Sequence, residues 1–455
     1  MKLPLRPRSL SRRQFIQTSL AAGAVAATPL DALAARRRPR PRVSPDYGPL
    51  VPTADEATGL PLLELPEGFR YVTGSWTGDP MRASDITPNN HDGMGCFFGR
   101  RRARILIRNH ERGGGGVFST NAPVYDPMAR GGTTHVVFDP ISKTFRGSWA
   151  SLTGTLRNCA GGMTPWKSWI SCEETTDGPG NGPLLREHGF CFEVPVRGEA
   201  EAVPLRAMGR FSHEAVAFAR NGAAAYLTED ANAAGLYRFV PNRRRRLDSG
   251  RLQMLRIRDA PNFDTRRNFP LGESLPIDWV DIEVPDPAGD RAAVAANSVY
   301  SQGSARGGAR FIRLEGIWRS RGRFYFSSTS GGAVLGGQIF EIDPRRQTLR
   351  LVFESPGQAV LDRPDNIAAN RRGGIVLCED GGGRDRILGL TREGDIFPFA
   401  RGNVTLQGER GFFGDFTSSE LAGVCWSPRA NWMFVNIQRP GITCAITGPW
   451  RRGAL

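Results

Sequence analysis

Lysine is almost absent from this 455-residue sequence: Lys2, Lys143 and Lys167 are the only three, so arginine supplies nearly all of the positive charge. The formal net charge is nevertheless +15. A nucleic-acid-binding surface needs such charge to be clustered beside aromatic side chains or within a known motif. The two arginine clusters, residues 36–38 and 243–246, lie in predicted loops with neither feature, so we expect no nucleic-acid partner. A basic surface would still attract anionic substrates over long range.

Long apolar runs are also missing. No stretch of the sequence is apolar enough to cross a membrane, so we expect no stable membrane insertion. The N-terminus instead carries Arg12 and Arg13, followed by Phe15 and a short, weakly apolar run over residues 16–27. This order is typical of a twin-arginine (Tat) export signal cleaved after Ala34, and it predicts a periplasmic or secreted protein that uses the Tat export machinery. The alternative interpretation is a basic N-terminal arm with a short helix.

Familiar catalytic and metal-binding motifs are absent as well. The sequence contains no GxSxG, HExxH or P-loop motif, which argues against the serine hydrolases, zinc proteases and nucleotide-binding enzymes that those motifs define. Its seven cysteines include no CxxC pair, so neither a disulfide framework nor a structural zinc site is indicated. Cys172 and Cys378 lie within apolar runs and are expected to pack in the core, as are Trp166 and Trp169.

Glycine and proline are plentiful, with 55 and 33 residues, and helical periodicity is absent beyond the N-terminus, so we expect a mostly β protein. Within it, one pattern recurs. Each copy begins with a polar or acidic residue or a cysteine and continues with a small residue or asparagine and then an apolar one. It passes through a turn and ends in a short apolar strand. The copies cover residues 91–111, 159–174, 212–230, 314–329, 363–380 and 420–438.

Each copy describes a β-hairpin, and the spacing between copies leaves room for two more strands per unit. Six four-stranded units predict an all-β fold, a six-bladed β-propeller with loop insertions. We expect a signal peptide at residues 1–34, a flexible Arg/Pro-rich segment at 35–59 and a single propeller domain at 60–455. The long gap at residues 231–311 is interpreted as outer strands plus an insertion over one face.

The innermost strands of a propeller line a central channel, so the residues that begin each copy converge on its axis. Four copies also end in carboxylates, which would lie near the same mouth. The copies begin with Asp92, Cys159, Glu214, Glu315, Asp365 and Glu420, and their ends carry Glu111, Glu173, Glu174, Glu229, Asp230, Glu379 and Asp380. His91, His110 and His213 fall in the same copies.

So many carboxylates in one place repel one another and cannot all be ionised unless cations compensate. Oxygen-rich ligand shells suit Ca²⁺, whereas a thiolate among carboxylates suits a transition metal such as iron. A single strand-end acid is often only a turn residue or a backbone cap, and Cys159 alone is as easily a packing residue as a ligand. The agreement of six copies is what favours a metal centre.

With these motifs assembled, the chain resembles the PhoX-type alkaline phosphatases. The resemblance rests on NHDGM (90–94), RNHE (108–111), CAGGMTPW (159–166), SCEE (171–174), GRFSHEA (209–215), YLTED (226–230), LEGIW (314–318), PDNI (364–367), LCEDG (377–381) and SELAGVCWSP (419–428). These motifs occur in order over nearly the whole chain after residue 60. The resemblance implies an exported six-bladed propeller that hydrolyses small-molecule phosphomonoesters with a cluster of Fe³⁺ and Ca²⁺ ions.

By the same resemblance, Cys159 matches the family's iron-ligand cysteine. The expected metal ligands are Cys159, Asp92, Glu214 and Glu315, followed by Glu173, Glu174, Asp365 and Glu420, and the expected phosphate contacts are Asn109 and Arg384. A metal-bound oxygen nucleophile would then attack phosphorus while the cations offset the charge of the transition state. Two alternatives stay open: a calcium-dependent propeller hydrolase such as a lactonase, and a non-catalytic propeller that binds a partner.

Overall fold

The computed structural model describes residues 46–267, 269–289 and 296–455. The first strands of the described chain are β1 (Leu50–Thr53), β2 (Leu63–Pro66) and β3 (Arg70–Gly74). Part of the expected flexible segment is therefore a strand: β1 pairs with β2, and Asp55 accepts hydrogen bonds from the amide and hydroxyl of Thr73. The expected signal peptide lies outside the described residues, and the predicted domain boundaries stay a prediction.

Six antiparallel blades follow, called blades 1 to 6, each beginning with its innermost strand, and the outer strands of blades 3 and 4 pair to give one nine-stranded sheet. Blade 1 contains β4 (His91–Phe98), β5 (Arg104–His110), β6 (Gly131–Asp139) and β7 (Thr144–Thr155). Blade 2 contains β8 (Asn158–Met163), β9 (Ser168–Glu173) and β10 (Cys191–Pro195). Blade 3 contains β11 (His213–Phe218), β12 (Ala225–Glu229), β13 (Leu236–Pro241) and β14 (Gly250–Ile257), and β15 (Ser274–Asp281) extends it.

Helix α1 (Val299–Ala305) separates the two halves of the propeller along the chain. Blade 4 contains β16 (Leu314–Ser320), β17 (Arg323–Ser328), β18 (Gln338–Asp343) and β19 (Thr348–Glu354), and blade 5 contains β20 (Pro364–Ala369), β21 (Ile375–Glu379), β22 (Arg386–Leu390) and β23 (Ile396–Gly402). A small hairpin, β24 (Thr405–Gln407) and β25 (Phe413–Asp415), precedes β26 (Leu421–Trp426), β27 (Met433–Ile437) and β28 (Ile442–Thr447) of blade 6. Short 3₁₀ helices cover Arg82–Ser84, Arg206–Met208, Glu409–Gly411 and Trp450–Arg452. None of the helices in the described ranges has the length and apolar character to span a membrane.

The fourth strand of blade 6 comes from the other end of the chain. β28 pairs antiparallel with β3, with Thr443 opposite Gly74 and Thr447 opposite Arg70. The inner strands contact one another in the order β4, β8, β11, β16, β20 and β26, and β26 contacts β4 in turn. This closed ring confirms the predicted six-bladed propeller. With β3 as its outermost strand, blade 6 has four strands, and the pairing joins the N-terminal and C-terminal parts of the described chain.

Buried apolar clusters fill the junctions between neighbouring blades. Side chains alternate across each strand, so on β9 Trp169 packs at the junction with blade 1 while Ile170 packs at the junction with blade 3. Because neighbouring blades cover both faces of a blade, its strands carry apolar side chains on both sides. In the sequence these strands appear as continuous apolar runs. Cys172 and Cys378 are fully buried in these clusters, as their apolar surroundings in the sequence predict.

Candidate metal centre

The inner strands are distorted near their starts, at the predicted ring positions. In β4, β8, β11, β16 and β20 the register against the neighbouring strand shifts, so that two residues oppose one. Such a β-bulge re-aims the side chains it contains. The first bulge residue in each of these strands is, in chain order, Asp92, Cys159, Glu214, Glu315 and Asp365. In β26 the bulge falls at Gly423 and Val424, and the acid of that copy, Glu420, precedes the strand.

Adjacent inner strands approach each other closely beside these bulges, which explains why a small residue follows the ring position. A Cβ on Gly93 would lie 2.5 Å from Cys159 O in the next blade, and a Cβ on Gly316 would lie 2.7 Å from Ile367 N. Real Cβ atoms do not come that close to backbone atoms, so only glycine fits. The close approach brings ring side chains from different blades into one cluster.

The Cys159 thiol and the ring carboxylates are in direct contact. Cys159 Sγ donates a hydrogen bond to Glu214 Oε2 at 2.7 Å, and ligand atoms of Cys159, Glu174 and Glu214 all lie within 4.8 Å of one another. Glu214, Glu315 and Asp365 form a second group with the same limit. Glu214 belongs to both groups, and its buried Oε1 atom has no hydrogen-bond partner within the described part of the chain. A buried carboxylate oxygen is costly to leave unpartnered, and a bound cation would satisfy it.

Burial and mutual repulsion raise the pKa values of these groups. Burial raises the pKa of Glu214 well above its usual range, and the charges of Glu315 and Asp365 raise it further. For Asp365 burial is again the largest cause, and the pKa rises to about 7. Burial also raises the pKa of the Cys159 thiol, and the charge of Glu214 adds to that rise. In the absence of cations the cluster therefore retains protons, and cations that bind there replace them. The donor set fits the metal ions that the sequence predicts.

Asp92 and Glu420 meet where blades 1 and 6 adjoin. The side-chain amide of Gln438 donates to Glu420 Oε2 at 2.6 Å, and it lies 3.5 Å from Asp92 Oδ2 and 3.4 Å from Glu111 Oε2. Burial raises the pKa of Asp92, and the charges of Glu111 and Asp365 raise it further. Burial likewise raises the pKa of Glu420, with the charge of Asp92 as the next cause. These acids are thus continuous with the rest of the cluster.

Three further acids belong to the cluster although the sequence indicated them only as surroundings. Glu111, Asp230 and Asp380 follow the ends of β5, β12 and β21, as Glu174 follows β9. Burial raises the pKa of Glu174, and contact with Asp230 raises it further. We call the whole set the axial cluster: Cys159 with Asp92, Glu111, Glu174, Glu214, Asp230, Glu315, Asp365, Asp380 and Glu420.

Glu173 lies on the other side of its strand from Glu174 and does not join the axial cluster. Its Oε1 atom accepts hydrogen bonds from the amide of Leu156 at 2.9 Å and from His188 Nδ1 at 2.7 Å. Its Oε2 atom accepts from the amides of Gly189 at 2.9 Å and Phe190 at 3.1 Å. Protein donors therefore occupy both oxygens, and the expected role of Glu173 as a metal ligand has no geometric support.

The two residues expected to contact phosphate lie elsewhere too. Asn109 Nδ2 donates to the carbonyl oxygens of Cys159 and Ala160, and its Oδ1 accepts from Trp169 Nε1, so its amide fixes the strand that carries Cys159. Arg384 forms an ion pair with Glu64 at 2.7 Å and donates to the Gly402 carbonyl, at the outer strands of blade 5. The structure therefore supports neither residue as a phosphate contact. The amide of Asn109 is bonded to protein groups, and Arg384 is bound at the outer strands of blade 5.

Three arginines that the sequence did not indicate border the cluster. Arg157, Arg313 and Arg363 each stand two residues before a ring residue, with left-handed φ values of 47°, 44° and 51°. Arg157 pairs with Glu174 at 3.0 Å, and Arg313 binds Asp230 at 2.9 and 3.0 Å. The signal was present in the sequence as RNC, RLE and RPD at 157–159, 313–315 and 363–365.

Arg363 and Arg439 are exposed beside Asp380. Burial raises the pKa of Asp380, and the charges of Arg313, Arg363 and Arg439 oppose that rise, so all three cations lie within electrostatic reach of its carboxylate. In contrast to Arg313, which is bound to Asp230, the other two present guanidinium groups to solvent. They are placed to meet an anion that approaches the axial cluster.

Comparison with known families decides what kind of protein carries this cluster. Residues 45–148 and 139–441 match the family described as alkaline phosphatase PhoX, and residues 9–29 match the twin-arginine translocation pathway signal sequence. The chain belongs to the PhoX alkaline phosphatase family. As a PhoX family member it is a metal-dependent hydrolase of phosphate esters, and its Tat signal marks it for the periplasm or for secretion. These findings confirm the family resemblance, the activity class and the localisation that the sequence predicts.

One solved structure supports the same fold. Pseudomonas fluorescens PhoX in complex with vanadate, a transition state analogue, is similar with a TM-score of 0.66 and 17% identity, covering 91% of this chain and 99% of that chain. A gluconolactonase from Xanthomonas campestris has a TM-score of 0.44 and 12% identity, with 89% and 99% covered. No curated protein matches the chain. The first likeness agrees with the PhoX propeller observed here.

Proposed function

We propose that the axial cluster binds iron and calcium ions and that phosphate monoesters of small molecules are hydrolysed there. The observation that carries this proposal is the contact between Cys159 and Glu214: a thiol lies 2.7 Å from one carboxylate oxygen, and the other oxygen has no partner. A thiolate beside a carboxylate suits a transition metal such as Fe³⁺. The oxygen-only group of Glu214, Glu315 and Asp365 suits Ca²⁺.

The proposed ligands differ from the set that the sequence predicts. Cys159, Glu174 and Glu214 would hold the iron, and Glu214, Glu315 and Asp365 would hold calcium. The remaining acids of the axial cluster would complete the coordination of further calcium ions: Asp92, Glu111, Asp230, Asp380 and Glu420. Glu173, Asn109 and Arg384 are left out of the proposed centre because other protein groups occupy their polar atoms.

Bound cations supply the positive charge that offsets the phosphoryl oxygens as the ester bond breaks. The protein's own part is to hold the ligands in place and to receive the anion. Arg157 and Arg313 fix the carboxylates of Glu174 and Asp230 by ion pairs. Arg363 and Arg439 lie exposed beside Asp380, and their guanidinium groups would bind phosphate oxygens and orient the substrate.

The test pairs metal content with phosphatase activity in purified protein. We expect the wild type to contain iron and calcium and to hydrolyse p-nitrophenyl phosphate. Cys159→Ala would lose iron and lower the rate by about a thousandfold or more, because the transition-state charge is no longer offset. The matched control is Cys378→Ala, another buried cysteine, which keeps iron and activity. Wild-type protein without iron, or full activity in Cys159→Ala, would contradict the proposal.

A further inference from the structure

A second group of ligating side chains lies outside the axial cluster. Cys172 on β9 and Cys191 on β10 are directly opposite each other, with their sulfur atoms 3.6 Å apart. His213, which begins β11, places Nδ1 at 3.4 Å from the sulfur of Cys191. The three ligand atoms all lie within 4.8 Å of one another, and all three residues are completely buried. The group therefore joins blade 2 to blade 3 within the apolar junction between them.

The hydrogen bonds of His213 determine which ring nitrogen faces the sulfurs. Its Nε2 atom lies 2.9 Å from the carbonyl oxygen of Gly209, and a carbonyl only accepts, so Nε2 carries the proton. Nδ1 is then a lone-pair donor atom directed at Cys191. The ring of Phe211 stacks on the imidazole with centroids 3.6 Å apart and holds its orientation. A histidine that donates one N–H to a backbone carbonyl while the other nitrogen faces ligands is the usual arrangement at protein metal sites.

The separations of these atoms match a coordination sphere better than a covalent bridge. In tetrahedral zinc sites, metal–sulfur and metal–nitrogen bonds place two sulfurs about 3.8 Å apart and sulfur and nitrogen about 3.6 Å apart. The observed values are 3.6 and 3.4 Å. A disulfide needs its sulfurs at about 2.05 Å. Thiolate and imidazole together select thiophilic ions with filled d shells, Zn²⁺ and Cu⁺, over calcium or magnesium.

We propose that Cys172, Cys191 and His213 bind a thiophilic d¹⁰ metal ion, zinc or copper(I), which ties blade 2 to blade 3 independently of the phosphatase centre. Each thiol releases its proton to solvent as the ion binds, and His213 remains neutral. The ion is structural, because its three ligands are completely buried. The site goes beyond the proposed function and does not depend on it.

Blade 5 offers a control at the same repeat position. Cys378 on β21 corresponds to Cys172 on β9, since SCEE and LCED align, and both are fully buried. Opposite Cys378 stands Ile387 rather than a second cysteine. Truncating Cys191 or Cys378 to alanine removes one fully buried sulfur in each case, so the two variants differ in whether a ligand is lost.

The experiment measures metals in full-length protein exported through its own signal and purified without chelators. We expect about one zinc or copper ion per chain in the wild type and in Cys378→Ala. Cys191→Ala should retain less than about a tenth of that ion while keeping its iron and its rate of p-nitrophenyl phosphate hydrolysis. X-ray absorption at the zinc and copper edges of the wild type decides between the two ions and should give a sulfur shell at about 2.3 Å.

Several outcomes would overturn the site. One is a disulfide between Cys172 and Cys191, seen as a mass two hydrogens short after denaturation and alkylation. Another is wild-type protein that holds neither ion, even after dialysis against zinc and against copper(I) under reducing conditions. A third is an X-ray absorption spectrum that shows no sulfur neighbours around the metal. Because this spectrum is recorded on the wild type, it tests the site even if Cys191→Ala fails to fold.

Discussion

Two sets of acids stand one residue apart along the chain and have opposite surroundings. The axial acids Glu174, Asp230 and Asp380 belong to the axial cluster, whereas their immediate predecessors, here called the lateral acids, are Glu173, Glu229 and Glu379. Each lateral acid accepts hydrogen bonds from protein donors: Glu229 from the amide of Gly235 and the hydroxyl of Tyr237, and Glu379 from the amide of Asp362 and from Arg386. The axial acids lie against other carboxylates, and only one arginine each pairs with Glu174 and Asp230.

The difference follows from the geometry of an extended chain. Consecutive side chains of a strand point to opposite sides, so two adjacent acids cannot both face the propeller axis. The lateral side contains backbone amides, a tyrosine and an arginine, which satisfy a carboxylate without a metal. The axial side brings carboxylates from several blades together, where only cations can compensate their charges. The lateral acid of each adjacent pair therefore stabilises the fold, and we expect the axial acid to bind metal.

The largest effect is expected from an axial acid. Glu214→Gln removes one charge from the carboxylate that both ligand groups share, so bound iron should be lost and phosphatase activity should fall about a thousandfold or more. Metal analysis and p-nitrophenyl phosphate hydrolysis measure both. The lateral control in the same blade is Glu229→Gln, which should keep iron and stay within about threefold of wild-type activity. Equal losses in both variants would erase the distinction between axial and lateral acids.

A lateral acid should instead determine stability. Glu173 and Asp126 both accept hydrogen bonds from His188, at 2.7 and 3.3 Å. Both ring nitrogens face carboxylate oxygens, which only accept, so the imidazolium is the bound form. Burial lowers the pKa of His188, but the two carboxylates raise it overall. Glu173→Gln leaves this buried charge with one partner fewer and should lower the free energy of unfolding by about 3 kcal/mol in urea titrations at pH 7.

The axial neighbour provides the comparison for that experiment. Glu174→Gln relieves repulsion in the metal-free protein and should leave its free energy of unfolding unchanged or raise it, while phosphatase activity is lost. If Glu174→Gln destabilised the metal-free protein as much as Glu173→Gln, the axial acids would be structural as well.

Removing the metals should make stability depend on pH in a defined direction. Burial raises the folded-state pKa of Asp365 to about 7 and that of Glu214 well above its usual value, whereas unfolded carboxyl groups titrate near pH 4. The folded protein then binds more protons than the unfolded chain, so stability falls as pH rises through the folded pKa. Chelator-treated protein should melt several degrees lower at pH 8 than at pH 7.

Two features make this window informative. Burial lowers the pKa of His91, His110 and His213, which adds an opposite slope only below about pH 6.5, where unfolded histidine titrates. In metal-loaded protein the cations replace the protons of the axial acids, so between pH 7 and pH 8 its melting temperature should fall less than that of the chelator-treated protein. Identical pH profiles with and without metals would show that the axial acids do not bind them.

The smallest effect is expected at the mouth of the cluster. Arg363→Ala removes one exposed cation placed to bind phosphate and should raise KM for p-nitrophenyl phosphate about tenfold with kcat within about threefold. Arg384→Ala is the control, because that side chain is paired with Glu64 at the outer strands and should leave KM unchanged. A larger rise for Arg384→Ala would restore the role that the sequence alone assigned to it.

The repeat in the sequence is sufficient to predict the propeller and the ring residues, because each copy carries the same order of polar, small and apolar positions. It cannot assign faces to Glu173 and Glu174. Alternation places the two side chains on opposite sides of the chain, but only the pairing of β9 with β8 shows which side faces the axis. Arg384 was misplaced for a different reason: its partner Glu64 lies on β2, which joins blade 5 from far away in the chain.

The proximity of Cys172 and Cys191 in blade 2 likewise cannot be predicted from the sequence. Cys191 stands on the third strand of its blade, outside the repeated hairpin, and no CxxC spacing links it to Cys172. Their apposition depends on the register between β9 and β10. Local sequence patterns therefore predict the repeated hairpins. They do not predict the contacts between a hairpin and the outer strands that complete its blade.

Anomalous diffraction from crystals of the exported protein, recorded above and below the iron edge, tests the central claim most directly. The account predicts an iron peak within bonding distance of Cys159 Sγ and a Glu214 carboxylate oxygen. The ions beside Glu315 and Asp365 should show no change in anomalous signal across that edge, because they are calcium. Iron located beside Glu173 or outside the axial cluster, or the absence of any iron peak in active crystals, would contradict it.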